Sequence, residues 1–97
     1  MGSYVVLINF TDQGVKDIKQ IATRVRHMQN EGLRDGVKLL GWYLTMGPYD
    51  AVAVAEAPDD ETMARGLLHV GAEGTIRSVT LRAFPLEEFE QMLGTLP

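Results

Sequence analysis

The chain opens on a run in which nearly every position is apolar, Tyr4-Val5-Val6-Leu7-Ile8-Asn9-Phe10, and the run stops at Thr11-Asp12-Gln13-Gly14. A β-branched and aromatic stretch bounded by polar turn formers reads as a strand that feeds a helix. From Val15 the period changes. Val15, Ile18, Ile21, Ala22, Val25, Met28 and Leu33 fall on one stripe at about 100° per residue, which predicts an amphipathic helix capped by Thr11 or Asp12. Gly32 and Gly36 bracket its end. Val37 to Met46 reads as a long second strand, Gly47-Pro48-Tyr49 as a tight break, and the alternating Asp50 to Ala57 as a third strand. Pro58-Asp59-Asp60-Glu61 puts acids where a helix dipole favours them, with Met63, Ala64, Leu67, Leu68, Val70 and Gly71 as the apolar face of a second helix ending at Glu73-Gly74. Thr75 to Phe84 is a fourth strand. Pro85 then opens a short terminal helix with Leu86, Phe89 and Met92 on one side and Gly94 closing it.

The order is βαββαβ plus a terminal helix. A short Gly-Pro connection forces strands two and three into an antiparallel hairpin, whereas each helix-length crossover permits a right-handed parallel connection. These constraints predict an α+β, ferredoxin-like sandwich with strand order 4-1-3-2 and both long helices on one face. A doubly wound parallel sheet needs more strands than the chain supplies. At 97 residues the whole of 1–97 is expected to be a single domain.

One face of such a sheet should be polar, and here it is not. In the first strand Tyr4, Val6, Ile8 and Phe10 point one way and Val5 and Leu7 the other; in the second, Leu39 and Tyr43 are expected opposite Leu40, Trp42 and Leu44. Both faces therefore want burial, and a twofold-related copy is the expected cover for the open one.

The residues Gly47-Pro48-Tyr49-Asp50, preceded by Trp42-Tyr43-Leu44-Thr45 and followed by Ala-Val-Ala-Val-Ala-Glu-Ala-Pro-Asp-Asp, resemble the signature of the GYD-domain family. The likeness includes the opening Tyr4 to Thr11 and the closing Gly74 to Phe84, so it spans nearly the whole chain. It implies a dimeric α/β barrel, two ferredoxin-like subunits packed sheet to sheet. It implies no reaction, the family's biochemical role being undefined. A similar glycine-x-Tyr-Asp hairpin occurs in the effector-binding domain of leucine-responsive transcription regulators, and with no helix-turn-helix in this sequence the likeness reaches only their ligand-sensing half.

Composition narrows the partners. Nine Lys and Arg against thirteen Asp and Glu give a net charge of −4, which argues against nucleic acid or an anionic membrane surface as a partner. The absence of cysteine excludes disulfides, thiolate metal sites and cysteine catalysis. No apolar run is long enough to span a membrane, no secretory leader is evident, and Val6 stands where a myristoylation motif behind Gly2 needs Ser or Thr. A cytoplasmic protein is expected, with no cofactor and no metal.

Few residues advertise chemistry. His27 and His69 lack the second histidine or carboxylate at ligand spacing and are expected in solvent. No Gly-x-Ser-x-Gly elbow or phosphate loop is present. In the hairpin, Gly47 and Pro48 shape the turn and Asp50 can accept backbone N–H bonds, or else Tyr49 and Asp50 line the rim of a pocket and orient a polar ligand. Gln29 projects inside the apolar arc of the first helix with Arg26 at its edge; a buried amide needs partners, which are either its neighbours or a cavity between helix and sheet. In related barrel families such a cavity carries substrates, so Asn9, Arg26, Gln29, Trp42 and Tyr43 join Tyr49 and Asp50 as candidate ligand-binding residues, with no catalytic residue assigned. The leading expectation is a homodimer, or a higher oligomer, that binds a small molecule or regulates; the alternative is a cofactor-independent monooxygenase or isomerase, and the third is an assembly without ligand.

Overall fold

The computed structural model describes residues 1–33 and 36–97. In chain order the elements are β1 (Gly2–Phe10), α1 (Asp12–Lys16), α2 (Ile18–Glu31), β2 (Lys38–Leu44), β3 (Ala51–Ala57), α3 (Asp60–Gly71), β4 (Ile76–Ala83) and α4 (Leu86–Gly94). Among the described residues the strands make one antiparallel sheet in the order β2-β3-β1-β4, with β1 and β3 central. That is the predicted ferredoxin-like arrangement, and each strand lies within two residues of its expected bounds.

The sheet buries one face under α2 and α3. Tyr4, Val6 and Ile8 of β1 and Ala51, Ala53, Ala55 and Ala57 of β3 form the core with Val37 and Met63. Alternation does this work: every second side chain of a strand shares a face, so the alanines of β3 point at the helices while Val52 and Val54 point away.

Two departures from the sequence reading have physical causes. The first long helix is broken at Asp17 (φ −98°, ψ 21°), between α1 and α2. Within α2 the sheet-facing stripe is narrower than the sequence suggests: Ile21, Val25 and Met28 face the sheet, Ile18 and Ala22 on its flank are exposed, and Val15, on the separate α1, is exposed as well. Leu68 of α3 is likewise exposed rather than on the apolar face. In β2 the register against β3 slips between Leu39 and Gly41, leaving Leu40 as a bulge residue. A bulge adds one residue and reverses the parity beyond it. Leu39, opposite Ala55, therefore shares the helix-facing side with Trp42, opposite Ala53, and not with Tyr43.

Caps hold the helix starts. Thr11 Oγ1 accepts from Gly14 N at 3.1 Å and donates to the Gly74 carbonyl at 2.6 Å, which ties the start of α1 to the loop before β4. Asp59 Oδ1 accepts from Thr62 N at 2.8 Å at the start of α3. No helix among the described residues is long and apolar enough to cross a membrane.

Candidate functional site

Small alanines on the helix-facing side of β3 leave space above them. The result is a cleft between α2, α3 and the sheet, open to solvent at its mouth, with an internal space of about 100 Å³. Ala53 and Ala55 form part of its floor, Trp42 and Leu39 one flank, and Met28 and Met63 reach in from the two helices. The walls are almost wholly apolar. At the mouth Arg24 of α2 and Glu73 after α3 form an ion pair of 3.2 Å, each side chain about two-fifths exposed. A pair so wet contributes little stability, so it can open at small cost.

Of the residues singled out from the sequence, Trp42 alone lines this cleft. Arg26 and Gln29 do not: Arg26 Nη1 donates to Gln29 Oε1 at 3.3 Å on the flank of α2 that also carries the exposed Ala22. The amide therefore meets a neighbour and not a cavity. His27 and His69 are exposed, as expected, and border a second groove between α2 and α3. Among the described residues no three His, Asp or Glu are grouped closely enough to hold a metal ion.

Asn9, Tyr49 and Asp50 gather at the hairpin end of the sheet. Asp50 Oδ2 accepts from Phe10 N at 2.9 Å, Asn9 Nδ2 donates to the Pro48 carbonyl at 3.0 Å, and Thr45 Oγ1 donates to the Tyr49 carbonyl at 2.7 Å. Gly47 takes φ 111°, a conformation that favours glycine. Each bond joins the β2–β3 turn to itself or to the end of β1, so these polar atoms are consumed in fastening the hairpin. This chain belongs to the GYD domain family. The family's model matches residues 4–93. A relative from Thermus thermophilus, a glutamine synthetase and cystathionine beta-lyase binding protein, is 36% identical over 89 residues, covering 91% of this chain and 94% of its own length. No solved structure matches the chain at a significant level.

The GYD hairpin thus sits at one end of the sheet, and two other features stand out, of which only the first escaped the sequence reading. The first is a polar cluster at the opposite end. The Tyr4 hydroxyl donates to Asp60 Oδ1, Arg82 Nε lies 3.7 Å from the same oxygen, and the Arg82 guanidinium stacks 5.4 Å from the Tyr4 ring centroid and 4.6 Å from that of Phe84. The hydrogen bond to the Asp60 carboxylate, with burial, raises the Tyr4 hydroxyl above its ordinary value. Cross-strand pairing of Tyr4 with Arg82 was the signal, legible only once the register of β1 on β4 was known.

The second feature is the outward sheet face. The register aligns Gly41, Val54, Val5 and Leu81 in one row across the four strands and Tyr43, Val52, Leu7 and Val79 in the next. Polar residues bound these rows, Lys38, Glu56 and Ser3 on one side and Asn9 and Arg77 on the other. Tyr43, 62% exposed, belongs to this face and is separated from the cleft by the sheet. An apolar area with a polar rim has the anatomy of an interaction surface.

Proposed function

We propose that this GYD protein is a homodimeric binding module whose partners are other proteins, metabolic enzymes in particular. The observation that carries the reading is the pair of contiguous apolar rows on the open sheet face, left uncovered by the described helices of its own chain. Stacking that face on a twofold copy removes from water the side chains that argue against a monomer, and leaves the helix layer and the loops for a partner. The Thermus relative's name describes binding to two enzymes, which supports proteins as the clients. The test is twofold. Sedimentation at micromolar concentration should give a dimer, and Leu7→Lys should give a monomer with unchanged circular dichroism. Purified glutamine synthetase and cystathionine beta-lyase, each immobilised in turn, should retain the parent chain; failure with both, together with a monomeric parent, removes the reading.

A small apolar ligand in the cleft is a second part of this proposal, favoured by the nearly unbroken apolar lining behind the Arg24–Glu73 pair. Its polar contacts are few, so recognition rests on shape and burial. The single tryptophan, Trp42, lies in the wall and reports occupancy by its fluorescence. A saturable spectral change with an apolar aromatic probe, lost in Ala53→Phe, is the expected result.

A further inference from the structure

The C-terminal helix α4 has no place in its own subunit. Leu86, Phe89 and Leu93 line one side of it with Met92 beside them, and these side chains are 44–65% exposed. Among the described residues α4 packs to no appreciable extent on any other element. The radius of gyration is 14.6 Å, where a compact chain of this length has about 12.5 Å. Nine residues are too few to hold a helix in water unaided, since isolated helices shorter than about 12–15 residues are marginal. The helix therefore requires a surface outside its own subunit.

We propose that α4 is an exchanged arm that lies across the β2 edge of a second copy. The inference rests on the sheet-to-sheet dimer proposed above and adds to it the direction of the twofold axis. Four strands about 4.8 Å apart and seven to nine residues long offer a face of roughly 480 Å², short of the roughly 800 Å² per partner of a standard interface, so the sheet alone is a small one. The apolar side of α4 supplies further area. Two features select the β2 edge as its seat.

The first is position. Lys38, Glu56, Ser3 and Ala83 form one row across the sheet, with Lys38 on the β2 edge and Ala83 at the end of β4. A twofold axis parallel to the strands brings the β4 edge of one copy over the β2 edge of the other without sliding along the strands. Ala83 then lies over Lys38 of the second copy, and α4, which begins three residues after Ala83, starts beside it. An axis across the strands would set like edges over each other and leave α4 uncovered.

The second is chemistry. Leu40, the bulge residue, is 55% exposed on that edge two positions from Lys38, an apolar contact for Leu86 and Phe89. Glu87 and Glu88 in the first turn of α4 meet the Lys38 ammonium of the second copy. The bulge also keeps the β2 edge from simply adding another strand.

The absence of cysteine in the parent makes a clean crosslinking test. Lys38→Cys and Glu87→Cys, made in separate full-length chains, are mixed and treated with a short bismaleimide. The mixture is expected to give a covalent dimer, each variant alone is not, and Phe89→Glu in both chains should weaken dimerisation about tenfold or more with unchanged circular dichroism. Sedimentation of the untreated parent separates the two readings. A dimer without the mixed crosslink, or with a crosslink in the Glu87→Cys chain alone, overturns the arm and leaves the dimer standing; a monomer overturns both.

Discussion

Gly14 of α1 lies against the Thr75 carbonyl so closely that a β-carbon built on Gly14 would stand 2.0 Å from that oxygen. The approach follows from the two bonds beside it, Thr11 N to the Thr75 carbonyl at 3.0 Å and Thr11 Oγ1 to the Gly74 carbonyl at 2.6 Å, which draw the start of α1 onto the loop before β4. Gly14→Ala must push the helix start from that loop. We expect a loss of about 1–3 kcal/mol, the usual range for overpacking, seen as a lower urea midpoint. An unchanged midpoint would mean that the close approach is not required.

Asp50 accepts from Phe10 N across the sheet, and its own N–H donates to the Ile8 carbonyl at 2.8 Å. Asp50→Ala leaves the Phe10 N–H without that acceptor, at an expected cost of about 1–2 kcal/mol. Asp50→Asn, which keeps an acceptor oxygen, should recover part of the loss. Melting curves of the two variants decide between this structural role and a ligand role, in which melting would be unaffected.

The hydrogen bonds that Asp59 accepts from Thr62 hold its carboxyl below the ordinary value of 3.8. A carboxyl depressed in the folded state adds stability that is complete above its unfolded value, and the addition disappears as pH falls through the lower, folded one. Asp59→Ala should therefore destabilise at neutral pH through the lost helix cap, and the deficit should shrink below pH about 4. Chemical denaturation at neutral and acid pH measures both.

Tyr4 carries the opposite sign. Its hydroxyl is raised above 10.0, so the folded state prefers the neutral form, and the resulting stability is present below the unfolded value and lost as pH climbs through the folded one. Tyr4 should ionise later than free tyrosine in an ultraviolet titration. Tyr4→Phe should remove that late component. Its persistence would assign the shift to another tyrosine.

Much of the architecture was legible because it depends on local periodicity. The apolar run of Tyr4 to Phe10, the alternation of Ala51 to Ala57, the cap at Thr11 and the acids that open α3 are short-range signals, and so is the Gly47-Pro48 turn that sets β2 against β3. The apolar character of both sides of β1 was equally plain, since the side-chain period of a strand is fixed by its backbone. The site was less legible. Gln29 and Arg26 read as cavity residues only if the apolar arc is as wide as the sequence suggests; the sheet-facing stripe of α2 is narrower, and the two side chains meet each other on its flank.

What the sequence by itself determined is thus the order of the strands, the two faces of β1 and β3, and the surplus of apolar surface. Tertiary structure decided which residues meet. The extra residue at Leu40 reverses the parity of β2 and brings Trp42 to the cleft beside Leu39, and the pairing of β1 with β4 sets Arg82 against Tyr4. Neither follows from local pattern. A bulge is a property of two strands in register, and a cleft exists where alanines of β3 face helices set apart by residues far along the chain.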